Sequence, residues 1–183
     1  MDEIELIQKC KNKDKRAQKY LYDKYASTLL GICVRYSNSI NEAEDILQDG
    51  FIKIFFNIDK YEGKGSFEGW LKRIVINTAI TYYHRNLKHK YHYDVSEIQE
   101  LKIKHNEYGM SEFTKEELLK VIQSLPDGYR MVFNLYAIEG YKHKEIAQML
   151  SIDLNTSKSQ YHRARKLLQK KLQDLKKIQY ETN

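Results

Sequence analysis

Glu145-Ile146-Ala147-Gln148-Met149-Leu150, then Ser151-Ile152-Asp153, then the run from Leu154 to about Leu175 decide how this chain folds. Ile146, Ala147 and Leu150 share one face of a short helix, and Ala147 is small enough for a second helix to cross closely. Ile152 plugs the angle between the two helices and Asp153 is available as an N-cap. In the following helix Ser157, Tyr161, Ala164 and Leu168 turn inward, which leaves Asn155, Lys158, Ser159, His162, Arg163 and Lys166 outward. Cations, amides and hydroxyls at that spacing suit phosphates and base edges, so residues from Tyr141 onward read as a helix-turn-helix with a basic recognition helix.

The rest of the chain repeats the helical period. One proline and eight glycines in 183 residues leave little material for turn-rich β architecture, and the expected class is all-α. The first helices span Ile4 to Cys10 and about Lys13 to Tyr36, the second burying Ala17, Tyr20, Leu21, Tyr25, Leu29, Ile32, Cys33 and Tyr36. A third begins at Asn41 as N-cap with Glu44 as capping-box partner. Its apolar stripe is Ala43, Ile46, Leu47, Phe51, Ile54, Phe55 and Ile58, leaving Glu42, Glu44, Asp45, Gln48, Asp49 and Lys53 as an acidic outer surface.

Tyr61-Glu62-Gly63-Lys64-Gly65-Ser66 interrupts the pattern, because two glycines make helix costly, and Ser66 can cap the next helix. That helix, from Phe67 to about Lys90, has a dry side, Phe67, Trp70, Leu71, Ile74, Val75, Thr78, Ala79 and Tyr82. Its other side carries Arg73, Asn77, Thr81, His84, Arg85 and Lys88. Periodicity fades from Tyr91 to Ser111, which reads as a flexible linker between two small helical domains at 1–90 and 112–183. The second domain opens with a helix from about Glu112 to Leu125. Pro126 sits in the first turn of the next, which Met131, Val132, Leu135 and Tyr136 extend toward Gly140.

Charge is concentrated. Residues 71–90 hold five cations and no acid, and residues 155–177 hold eight cations against Asp174. Those two segments exceed the chain's net +6, so the remainder is acidic. Two basic faces on an acidic protein suit a polyanion met at two places; solvated helix faces are the plainer alternative.

Cys10 and Cys33 lack C-x-x-C spacing, and no signal peptide or apolar run long enough for a membrane is present, so a cytoplasmic setting without membrane insertion is expected. Gly63-Lys64-Gly65-Ser66 has the wrong residue order for a phosphate-binding loop. His84, His89 and His92 lack the companions of a metal site. No cofactor, metal or catalytic residue is expected.

Three stretches resemble, in order, conserved regions of the sigma-70 RNA polymerase sigma factors. Glu42-Ala43-Glu44-Asp45-Ile46-Leu47-Gln48-Asp49-Gly50-Phe51 is similar to region 2.2, and Gly65-Ser66-Phe67-Glu68-Gly69-Trp70-Leu71-Lys72-Arg73-Ile74 with Asn77 to regions 2.3 and 2.4. Leu125-Pro126, Glu145-Ile146-Ala147 and Thr156 to Arg165 resemble region 4. With regions 2 and 4 alone, the chain resembles the extracytoplasmic-function (ECF) subfamily.

The resemblance implies a non-enzymatic specificity subunit that binds core RNA polymerase, directs initiation at particular promoters and helps open the DNA. Glu44, Asp45, Gln48 and Asp49 would dock on the β′ clamp helices, and the C-terminal domain on the β flap. Tyr61, Lys64, Arg73, Asn77, Thr81 and Arg85 would contact the minus 10 element, the loop receiving a flipped base whose capture offsets unstacking. Asn155, Lys158, Ser159, His162, Arg163 and Lys166 would read the minus 35 element. The resemblance also implies an anti-sigma partner.

Some positions depart from the family pattern. Lys142 stands where Ser or Thr is common and caps poorly; Asn155 replaces a frequent glycine and Ser157 a frequent valine. Leu71 rather than a second tryptophan follows Trp70, which argues against a melting wedge, and Trp70 itself lies on the apolar face as a core residue. Two other classes compete. An ordinary helix-turn-helix regulator would not need the acidic helix and glycine loop. A tyrosine recombinase would need a clustered Arg, His and Tyr site, which the sequence lacks.

Overall fold

The structure, a computed structural model, describes residues 2–90 and 113–181, all helices and connecting turns with no strand among them. The linker expected at 91–111, the helix start expected at Glu112, and His92 lie outside the described residues. The compact units are Met1–Tyr82 and Tyr83–Asn183, which part inside a helix.

In the first unit, α1 (Glu3–Lys11) is capped by Asp2, whose carboxylate accepts from Glu5 N at 2.7 Å. Lys13 takes a left-handed φ of 60° to turn the chain, and Asp14 caps α2 (Lys15–Tyr36) by accepting from Ala17 N at 2.8 Å. The expected stripe of α2 is buried except Tyr20, which is 44% exposed. Tyr20 sits one residue before Leu21, a rotation of about 100° away from the stripe.

Helix α3 (Ile40–Asn57) starts from Ser39, not from Asn41. The Ser39 hydroxyl accepts from Glu42 N at 3.2 Å, and the Glu42 carboxylate accepts from Asn38 N at 2.6 Å. Glu42 therefore takes the place expected of Glu44, its N–H capped by Ser39 and its carboxylate reaching one residue further back, to Asn38. A single 3-10 turn, Ile58–Lys60, extends the helix and buries Ile58.

Helix α4 (Phe67–Lys90) has the predicted bounds. Its dry side is wider than the single predicted stripe, since Ile76 and Ile80 are buried as well. Helices α3 and α4 approach closely at Gly50, where a Cβ would come within 3.0 Å of Val75 Cγ2. Buried Thr78 donates to Ile74 O at 2.9 Å and accepts from Lys53 Nζ at 3.2 Å.

The second unit begins with α5 (Lys115–Gln123), shorter than the expected 112–125 because Thr114 and Glu117 form a full capping box at its start. Pro126 is the N-cap of α6 (Asp127–Phe133) rather than a first-turn residue. The chain then widens into a π-helical turn, Asn134–Ile138, and Gly140 closes it at φ 79°. That widening rotates Tyr136 out of the core, to 38% exposure, while Met131, Val132 and Leu135 are buried as expected.

Helix α7 (His143–Leu150) begins two residues earlier than Glu145. Ser151 adopts the left-handed conformation, φ 53° and ψ 45°, and Ile152 N donates back to Ala147 O at 3.0 Å. Helix α8 (Leu154–Glu181) comes next. Its inner residues Ala164 and Leu168 join Val121 of α5 and Leu125 of the following turn in one cluster, against which Leu172 and Leu175 also pack.

Candidate nucleic-acid interface

On α8 the outward positions Asn155, Lys158, Ser159, His162 and Arg163 are exposed, and Lys166 is half-buried. The Ser159 hydroxyl donates to Thr156 O at 3.0 Å, leaving its oxygen free to accept. Arg163 donates to the Tyr129 hydroxyl at 3.5 Å, a long and weak bond. Ser157, which faces the core at 0% exposure, lies 2.9 Å from His143 Nδ1. The His143 ring stacks on Tyr136 with centroids 4.2 Å apart and planes 13° apart. Burial, and then the charge of Lys158, hold the His143 imidazole below its ordinary range.

On α4, Arg73, Asn77, Thr81, Arg85 and Lys88 are exposed along one face, with His84 half-buried beside them. Four of these recur at four-residue steps, so they form a stripe along the helix. The Thr81 hydroxyl donates to Asn77 O at 2.9 Å. Lys72 is paired with Glu68 at 2.7 Å, which removes one cation from the surface that composition alone would count.

The connecting loop is shaped by its own side chains. Gly63 and Gly65 take φ of 76° and 83°, values that cost an L side chain about 1 kcal/mol or more. Tyr61 donates its hydroxyl to Gly65 O at 2.9 Å and packs its ring on Phe67 and Trp70 at 5.1 and 5.5 Å. Lys11 Nζ in turn donates to Tyr61 O at 2.9 Å. Tyr61 thus staples the loop to α4, and Trp70, half-buried and stacked on Phe67, belongs to the same cluster. Lys64 is fully outside, in a 2.6 Å pair with Glu62; such an exposed pair is worth little and exchanges readily for a phosphate. Ser66 caps α4 through a 3.0 Å bond from Gly69 N.

The acidic surface of α3 divides in two. Glu44, Asp45 and Gln48 are exposed, whereas Asp49 is half-buried and accepts from the Tyr82 hydroxyl at 2.7 Å. Ile52 and Phe56, 55% and 81% exposed, continue the outer face. Neither was expected there, although their one-turn spacing outside the apolar stripe is visible in the sequence. Arg130 was missed as well: it is 2% exposed, and its guanidinium donates to Gln123 O and Leu125 O, both at 3.0 Å, and to Asp127 at 2.9 Å. A lone arginine in a helical pattern carries no sign that it caps the preceding helix from inside.

No helix is long and apolar enough to cross a membrane among the described residues. Residues 21–88 match the family model for sigma-70 region 2, and residues 115–168 that for sigma-70 region 4. The ECF RNA polymerase sigma factor SigW of Bacillus subtilis is 31% identical over 92% of this chain and 96% of its own. The ECF RNA polymerase sigma-E factor of Haemophilus influenzae is 28% identical over 93% of this chain and 95% of its own. Among solved structures, the sigma factor RpoE of Bartonella quintana, crystallised with the anti-sigma factor NepR, shares the fold. Its TM-score is 0.52 at 22% identity, over 85% of this chain and 96% of that one.

Proposed function

The chain belongs to the ECF subfamily of sigma-70 factors, non-enzymatic subunits that bind core RNA polymerase and direct promoter-specific initiation, and on that premise we propose how its surfaces divide the work. The α8 face of Asn155, Lys158, Ser159, His162, Arg163 and Lys166 reads the minus 35 element in the major groove. The α4 stripe of Arg73, Asn77, Thr81 and Arg85, with Lys64 of the loop, contacts the minus 10 element as the duplex opens. Tyr61 acts there as the wall that holds the loop in shape. Residues 1–90 and 112–183 serve as the two working domains, with 91–111 as linker.

Glu44, Asp45 and Gln48, with exposed Ile52 and Phe56, form the surface for the β′ clamp helices, and the second domain meets the β flap. An acidic, partly apolar helix face beside a cationic one is what supports this reading, because the acids would repel DNA and need a different partner. The protein works in the cytoplasm, where its polymerase is. An anti-sigma partner, such as the one crystallised with the Bartonella factor, would act by covering these faces.

Transcription by core polymerase over a randomised promoter library, with and without the chain, tests the reading. Initiation at one shared pair of upstream and downstream motifs is expected only with the chain. The same start sites in its absence, from active core, would overturn it.

A further inference from the structure

His143 is the first residue of α7, outside the set assigned to DNA, yet it is the point where three elements of the second unit meet. Its ring lies flat on Tyr136 of the π-helical turn, 4.2 Å between centroids, and edge-on to Tyr161 of α8 at 5.8 Å. Tyr136 and Tyr161 are themselves in contact at 4.5 Å. Nδ1 of His143 lies 2.9 Å from the hydroxyl of Ser157, which is fully buried and immediately precedes Lys158 on the recognition helix.

A buried hydroxyl needs a partner, and the ring supplies one whose own position is fixed by two aromatic neighbours. Rotation of α8 about its axis, or sliding along it, would break the 2.9 Å contact and leave Ser157 unsatisfied. A valine at 157 would fill space without fixing rotation in this way. We propose that His143 is a positioning residue for promoter recognition: through Ser157 and the stack on Tyr136 it sets the rotation of α8, and with it the aim of Lys158 and Arg163 at the minus 35 element. This inference rests on the assignment of α8 to that element.

The test uses holoenzyme reconstituted from core polymerase and the full chain, on a promoter it selects and on the same promoter with its upstream element scrambled. The ratio of the two transcript yields measures dependence on the upstream element. His143→Leu and Ser157→Ala are each expected to reduce that ratio about threefold to tenfold, the scale of one neutral hydrogen bond. The double variant is expected to fall no further than either single one, since both remove the same link. His143→Asn, whose side-chain amide reaches the Nδ1 position, is expected to recover most of the ratio, which a role in folding alone would not produce.

Melting temperature is followed in parallel, and Arg163→Ala serves as reference. An unchanged ratio in both single variants, additive losses, or no recovery by asparagine overturns the positioning role while Arg163→Ala still lowers the ratio. If Arg163→Ala leaves the ratio intact, the assignment of α8 to the upstream element fails instead, and the inference with it.

Discussion

The Tyr82 hydroxyl on α4 donates a 2.7 Å hydrogen bond to the carboxylate of Asp49 on α3. It takes one residue out of the acidic surface and uses it to hold α3 and α4 together. Asp49 and Asp45, one turn apart on the same helix, therefore have different work. Tyr82→Phe is expected to lower stability by about 1.5 kcal/mol, because the carboxylate loses a charge-assisted donor. Asp45→Asn is expected to weaken core polymerase binding and leave the urea unfolding midpoint unchanged. A shifted midpoint for Asp45→Asn, or none for Tyr82→Phe, would reverse these roles.

Arg130 offers a sharper test of stability. Its fork holds two carbonyls at the end of α5 and the Asp127 carboxylate from a site 2% exposed. Arg130→Ala is expected to cost about 3 kcal/mol, and Arg130→Lys to recover little, because an ammonium cannot serve the same planar geometry. A lysine variant as stable as the parent in urea would show that charge alone suffices.

Lys142 caps α7 poorly. Its backbone is extended, as an N-cap requires, and its N–H already donates to the Glu145 carboxylate at 2.7 Å. Only the side-chain half of the box is missing, and Lys142→Ser supplies it. A gain of about 1 kcal/mol is expected, read as a higher melting temperature; an unchanged or lower value counts against the capping argument.

Acid should loosen the second unit through His143. Burial and Lys158 lower its folded value, so the neutral ring is the one the fold prefers. The associated stability is complete above the ordinary value of 6.5 and is lost as pH falls through that value toward the lower folded one. His143→Asn is expected to flatten the melting-temperature slope below pH 6.5. An identical slope in the variant would place the titrating group elsewhere.

Cys10 and Cys33 are buried, with their thiols pushed up by desolvation to about 11 and about 12. Neither is expected to react with a maleimide at neutral pH until the chain is unfolded. Rapid native labelling of either would mean that the α1 and α2 packing opens locally.

The sequence carried the long helices well, because α2 and α4 repeat apolar residues over many turns and Ser66 marks a start. It carried the exposed cations of α4 and α8 equally well, since they are the complement of those stripes. Local competition was harder to read. Asn41 and Ser39 both cap acceptably, and only the reach of Glu42 to Asn38 decides between them. Tyr136 looked apolar by period, but the π-helical turn adds a residue to the ladder and shifts its phase. Asp49 looked like its acidic neighbours, and its partner lies 33 residues away. Long-range pairs of this kind leave no trace in spacing.

Helix α8 is 28 residues long and packs against the Val121 and Leu125 cluster through Leu168, Leu172 and Leu175, while its exposed polar face begins at Asn155. It is a beam held at both ends, by the Val121 and Leu125 cluster at one and by His143 and Tyr136 at the other. About thirteen residues separate Leu168 from Asn155, roughly 20 Å at the rise of an α-helix. A tilt of about 5° about Leu168 would carry Asn155 by roughly 1.7 Å, more than half the length of a hydrogen bond, and so has to break the contact at Ser157. Repacking around Leu172 or Leu175 would therefore strain the joint between His143 and Ser157 before it moved the exposed polar face.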